Sequence, residues 1–424
     1  MAFFRQSGWL VVANTLTGVF MTAVHPFASR MPAGDYGVFA TLLRLFMILS
    51  VAATGLQIVV ARLAAAALDD EGKRRLAATA RVILRATFCF WLGLVLLAAW
   101  FQPFIVAKLK LTHPMAVWVT LAMVLANLWL PVFIGLLQGF QNFLWLGGAQ
   151  MVNGFIRCAL VAAGVGLFHL RSTWAVTAAL LGFVAALLAA WLPCRHLLRR
   201  PPGGVAGLPW MRSMLWLTGG MGSALVLMNA DLVVVQYFFP EQLSPYYAAA
   251  ATIGVALVMF TTPMAAVMFP KLVRGLAERR SSNAFWLALG GTLAMGACGA
   301  VVCTLVPELP LRILFAGKVQ FLASAILVPW FMWAMLPVTL ANVLIGSLMA
   351  RGRFECVPWL MAVAAGYVVA IVMVCQRAAA MDHFAAFKLV VQTLGVSSLL
   401  LLGVSAWFTS RVRAGTETDE GAPA

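Results

Sequence analysis

Two arginines and one aspartate stand where charge is costly. Arg44, Arg157 and Asp231 each lie well inside a long run of apolar residues. An ionised side chain near the middle of a bilayer costs about 3 kcal/mol or more, so such residues persist where they face a bundle interior or a water-filled cavity. On a helix, Gln150, Asn153 and Arg157 recur at spacings of three and four and share one face. A polar stripe ending in a guanidinium suits an anionic group, because the planar fork of donors can hold two phosphate oxygens at once. The chemistry on offer is anion recognition, with Arg44, Arg157, Asn153 and Gln150 as candidate substrate-binding residues.

Asp231 is the one carboxylate deep inside a run. At a rise of about 1.5 Å per residue, Asp231 and Arg44 are expected roughly 7–9 Å to the outer side of the midplane. Three roles fit it: a structural ion pair, as with Arg44 between the two halves of the chain; a protonation site that couples transport to a proton gradient; or a ligand for a cation, such as a coupling sodium ion, or for the substrate. Asn229 lies two residues away, about 200° around the helix, and so cannot extend the same polar stripe.

Enzymatic chemistry has little to work with. The sequence holds no GxxxxGKS phosphate loop and no GxSxG elbow. The acidic run Asp69-Asp70-Glu71 is followed at once by Lys73-Arg74-Arg75, as expected of a solvated helix cap. Seven cysteines without a CxxC and five scattered histidines argue against a zinc site or a disulfide framework. No catalytic residue, metal site or cofactor is assigned.

The elements that must position these charges follow from composition. Of 424 residues, 63% are apolar and 10% charged, against about 45–50% and a quarter in soluble domains. A membrane span takes about 20 apolar residues. Twelve runs can be placed, at 9–28, 38–62, 82–101, 115–138, 149–168, 174–193, 214–238, 246–269, 284–306, 323–349, 358–376 and 385–408. The expected fold is an all-α polytopic membrane protein. The first run has no persuasive cleavage site after it and reads as an uncleaved span.

Charge sets the orientation. With the N-terminus inside, the cytoplasmic links hold 17 Lys and Arg and the outer links 7, which places both termini in the cytoplasm of a cell inner membrane. The net charge of +16 is therefore topological, and nucleic acid is not an expected partner. Residues 194–213, basic and rich in Pro and Gly, read as a linker between six-helix lobes at 1–193 and 214–408. The polar stretch 409–424 reads as a disordered tail.

The two lobes repeat each other. Ile134-Gly135-Leu136-Leu137-Gln138-Gly139 through Phe143 matches Ile345-Gly346-Ser347-Leu348-Met349-Ala350 through Phe354 at an offset of 211. Val59-Val60-Ala61-Arg62-Leu63 matches Met268-Phe269-Pro270-Lys271-Leu272 at 209, and Asp35-Tyr36-Gly37 matches Pro245-Tyr246-Tyr247 at 210. Six spans per unit is an even number, so the repeats run parallel, as in one class of transporters. Glycines 219, 220, 222, 290, 291, 296 and 299 suit close helix contact, and Pro131 and Pro263 are candidate kinks.

Taken in order along the chain, several motifs resemble those of one family. They are Asp35-Tyr36-Gly37-Val38-Phe39, Gly55-Leu56-Gln57 through Ala61-Arg62-Leu63, Leu136-Leu137-Gln138-Gly139-Phe140-Gln141, Asn229-Ala230-Asp231, Ser244-Pro245-Tyr246-Tyr247-Ala248, Phe269-Pro270-Lys271-Leu272, Leu314-Phe315-Ala316-Gly317 and Leu348-Met349-Ala350-Arg351-Gly352. The sequence resembles the polysaccharide (oligosaccharide) flippases of the multidrug/oligosaccharidyl-lipid/polysaccharide exporter superfamily. The resemblance implies an alternating-access transporter of two six-helix lobes that moves undecaprenyl-pyrophosphate-linked glycans to the outer leaflet, in contact with membrane lipid. Arg44 and Arg157 then suit the pyrophosphate. A multidrug or cation antiporter of the same superfamily is the alternative, although one deep aspartate against two deep arginines suits anionic cargo better. A membrane-embedded glycan polymerase or ligase would need a larger outer loop than any present.

Overall fold

In the lipid interior a chain has no water to bond its peptide groups, so an apolar run of this length must become a helix and satisfy them internally. The computed structural model describes residues 2–111, 113–201, 204, 209–277, 284–315, 318–378 and 381–420. Among the described residues all regular structure is helical, with no strand. In chain order the α-helices are α1 (Ala2–Ala28), α2 (Ala33–Leu49), α3 (Ala52–Ala66), α4 (Asp70–Lys108), α5 (Met115–Gly139), α6 (Phe143–Gly166) and α7 (Ser172–Leu198). They continue with α8 (Pro209–Phe238), α9 (Ser244–Ala277), α10 (Ala284–Leu305), α11 (Glu308–Leu314), α12 (Val328–Ala350), α13 (Val357–Ala378) and α14 (His383–Glu420).

Each of the twelve apolar runs falls on a helix. Two of them are not single rods. The second run breaks at Ser50–Val51 into α2 and α3, which meet at a bend of 46°. Ser50, at φ −94° and ψ 7°, leaves the helical region and closes α2, while the Thr54 hydroxyl donates back to the Val51 carbonyl at 2.8 Å. That local bond competes with the helix ladder at the break. The tenth run opens as a 3-10 helix over Val319–Leu327 before α12 begins. α4 starts a full three turns before its apolar run, at the charged stretch. Asp69 is its N-cap, accepting from Gly72 N–H at 2.9 Å, and Asp70 pairs with Arg200 at 2.7 Å. α14 continues as helix to Glu420, past the start of the polar stretch at 409.

The chain divides into two compact units. Unit 1 is Met1–Thr218 together with the short segment Leu314–Lys318, and unit 2 is Gly219–Ile313 with Val319–Ala424. In unit 1, α6 lies between α1 and α7, and α5 packs on α3 and α7. In unit 2, α12 is the centre, packed on α9, α10 and α14. Small residues let these helices approach. A Cβ at Gly164 would fall 1.7 Å from Nε1 of Trp174, whose indole crosses the glycine to donate to Leu160 O at 2.9 Å.

The repeat is visible in the backbone of each unit taken separately. α5 ends with Gln141 at φ 57°, and Asn142 N–H donates to Leu137 O at 2.8 Å. α12 ends with Gly352 at φ 70°, and Arg353 N–H donates to Leu348 O at 3.0 Å. Both are left-handed helix stops with the bond that returns to the fifth residue back, and every equivalent pair is 211 positions apart.

Candidate anion site

Arg157 sits in the middle of α6, whose Gly147 and Gly154 face α1 while Gly164, two turns after Arg157, faces Trp174 of α7. Its side chain is 6% exposed. Nη1 lies 3.5 Å from the Met21 sulfur of α1, and Nε has no hydrogen-bond partner. Among the described residues no carboxylate pairs with it. Burying an ion costs several kcal/mol unless charge and hydrogen bonds compensate it. A guanidinium held this way is therefore electrostatically complementary to an incoming anion.

Asn153, one turn earlier, is 8% exposed and its Oδ1 is unpartnered. It faces α7 at Gly182, where a Cβ would meet Asn153 O at 2.8 Å, Asn153 Oδ1 at 2.9 Å and Arg157 Cβ at 3.2 Å. The bare glycine is what lets the polar face of α6 come down onto α7. Gln150, a further turn away, is half-buried. The three residues share a face as their spacing requires, but Asn153 stands at a helix contact rather than in the open.

Arg44 is half-buried on α2. It and Arg157 both act electrostatically on a third residue, His25 near the end of α1. Nδ1 of His25 lies 3.2 Å from the Tyr36 hydroxyl of α2, with the two rings edge to face at 6.3 Å. Sequence reasoning ranked the arginines and passed over His25 and Tyr36. The signal was available: His25 is itself an ionisable residue inside an apolar run, the criterion that selected Arg44 and Arg157.

The nearest sequence neighbour with negative charge is already engaged. Asp35 is 5% exposed, and its Oδ1 accepts from the Ser172 hydroxyl at 2.8 Å and the Ser172 N–H at 3.4 Å, tying α2 to the start of α7. Above Tyr36, the segment Leu314–Lys318 completes unit 1. Phe315 stands edge-on to the Tyr36 ring at 5.3 Å, and the Lys318 ammonium donates to the Met31 carbonyl. Burial pulls the Lys318 ammonium below the ordinary lysine range.

Unit 2 holds the predicted carboxylate. Asp231 on α8 is 1% exposed, and its Oδ2 accepts from the Tyr247 hydroxyl of α9 at 2.8 Å. Tyr247 in turn packs edge to face against Phe331 and Phe387 at 5.1 and 5.3 Å. Tyr367 and Cys375 of α13 are close enough to interact with Asp231 electrostatically. Asn229 turns the other way, its Nδ2 donating to Leu225 O of its own helix at 2.6 Å.

No sequence family and no curated protein matches the chain at a significant level. Solved structures do. An inward-facing multidrug resistance transporter of the MATE family, in the MOP superfamily, superposes with a TM-score of 0.72 at 13% identity, covering 96% of each chain. A MOP-superfamily transporter from Pyrococcus furiosus, described for the reverse polarity of its binding pocket, gives 0.68 at 11% identity over 97% of this chain and 96% of that one. The lipid II flippase MurJ, in an inward closed conformation, gives 0.67 at 11% identity over 93% and 86%. At such identities the likeness is one of fold. The chain carries the all-helical, polytopic fold of the MOP-superfamily transporters.

Proposed function

We propose that this protein is a flippase that moves lipid-linked oligosaccharide precursors across the cytoplasmic membrane by alternating access, for surface polysaccharide synthesis. The observation that carries this reading is the buried Arg157 guanidinium with no carboxylate beside it among the described residues. With Arg44 it offers two positive charges to a phosphate or pyrophosphate, and the lipid tail stays in the hydrocarbon. Asn153 and Gln150 supply uncharged polar groups on the same face of α6. An undecaprenyl-pyrophosphate-linked glycan has the required anionic head and apolar anchor. A lipid flippase among the structures of the same fold supports the choice. The bias of 17 against 7 cations supports cytoplasmic termini.

The test is precursor accumulation. Depleting the protein is expected to trap lipid-linked glycan in the inner leaflet, and Arg157→Ala is expected to reproduce the block while inserting normally. Arg157→Lys keeps the charge but not the fork, and should restore part of the activity. Full transport by Arg157→Ala would remove the residue from the site.

A second reading is a multidrug or cation antiporter. Asp231, buried under Tyr247, favours it, as does the multidrug transporter of similar fold. In the flippase reading the same Asp231 couples transport to a proton or sodium gradient. A drug-efflux assay in a pump-deficient strain separates the two functions.

A further inference from the structure

We propose that His25 is a third ionisable member of the anion site, beside Arg44 and Arg157, and that its protonation is linked to occupancy, so that binding a phosphate-bearing headgroup brings a proton into unit 1. The inference rests on the anion-binding reading above and adds a coupling group that lies apart from Asp231.

Three features carry it. His25 Nδ1 is 3.2 Å from the Tyr36 hydroxyl, so one ring nitrogen is committed to a neutral partner that can either donate or accept. Arg157 of α6 reaches α1 one turn before His25, with Nη1 3.5 Å from the Met21 sulfur, and Arg44 shares α2 with Tyr36; these two are the cations acting on the imidazole. The carboxylate adjacent to Tyr36, that of Asp35, is engaged by Ser172. The imidazole therefore shares its surroundings with two cations, while the local carboxylate has its own donors. A phosphate entering beside Arg157 changes the sign of the nearest charge. An anion stabilises an imidazolium, and linkage requires the reverse as well: the protonated imidazole strengthens anion binding by the same factor. Histidine is the side chain whose ordinary titration range lies where such a link operates. A purely structural role, in which His25 only fastens α1 to α2 through Tyr36, predicts no such link.

The test uses the purified full-length protein in detergent and farnesyl diphosphate as the probe. Calorimetric titration in two buffers of different protonation enthalpy counts the protons taken up on binding. The ligand's own titration cancels when wild type is compared with His25→Gln. Wild type is expected to take up about half a proton more than the variant near pH 7, and to bind about five- to tenfold more tightly at pH 6 than the variant does. The two should bind alike at pH 8.5. Equal proton counts would overturn the link while leaving the anion site intact, whereas absence of binding to wild type would overturn both readings. Should His25→Gln fail to insert, diethyl pyrocarbonate labelling of wild type decides: the probe must protect His25 and leave His113, His169, His196 and His383 reactive. Unprotected His25 sinks the proposal.

Discussion

The Tyr247 hydroxyl donates to Oδ2 of Asp231 across 2.8 Å, in a pocket where the aspartate is 1% exposed. Tyr247 sits in unit 2 at the position that repeats Gly37 of unit 1. A carboxylate so placed depends on its donor. Tyr247→Phe should lower thermal stability by about 1–3 kcal/mol, because it strips a hydrogen bond from a buried acceptor. Asp231→Asn should leave the fold in place and reduce the dependence of transport on an imposed proton or sodium gradient. Vesicle transport with and without the gradient measures it, and unchanged dependence rejects Asp231 as the coupling site.

Glycine contacts on α6 give a sharper stability contrast. Gly164→Ala drives a methyl into the Trp174 indole, 1.7 Å from Nε1, and is expected to cost about 1–3 kcal/mol as an overpacked site. Gly148→Ala, on the same helix with nothing within 4 Å, should be neutral or slightly stabilising through helix propensity. Melting of the two variants in detergent checks the difference. Equal midpoints would mean that Trp174 swings aside freely.

The Asp35–Ser172 tie is expected to behave as a cap supplied from another helix. Asp35→Ala removes the acceptor for both Ser172 donors and should cost about 1–2 kcal/mol, in the range of lost N-caps. Asp35→Asn retains one carbonyl acceptor and should cost less. Hydrogen exchange at the first turn of α7 reports the effect locally, and protection that is unchanged in Asp35→Ala refutes the capping role.

Outside the membrane, pH dependence centres on Asp70. The hydrogen bond and charge of Arg200 hold its carboxyl below the usual carboxylate range. A folded value below the unfolded one means that the contribution is present above the unfolded value and lost as pH falls through the folded one. The melting difference between wild type and Arg200→Ala should therefore be present at pH 7 and vanish toward pH 3. Asp70 is exposed, so the difference is small and shrinks further in salt. A gap that persists at pH 3 assigns it to Arg200's packing instead.

Much of the fold was legible because hydrophobic length is a local property. Each of the twelve apolar runs lies on a helix, and among the described residues nine helices, or ten with α2 and α3 as one bent pair, are long and apolar enough to cross a membrane. The offset of 211 between Leu137 and Leu348 already marked the two helix stops that share one left-handed turn. Arg44, Arg157 and Asp231 stood out because charge in an apolar run is conspicuous whatever it touches. The bend at Ser50–Val51 was not legible, since the apolar pattern continues unbroken across it while the backbone does not.

Partnerships between distant segments were decided by tertiary structure alone. Asp35 and Ser172 are 137 positions apart, and nothing in either local sequence names the other. His25 acquires its meaning only when α1, α2 and α6 bring Tyr36, Arg44 and Arg157 to it. Likewise Gly182 matters because α6 presses Asn153 and Arg157 against it. Composition determines what each residue costs to bury, and packing determines which neighbour offsets that cost.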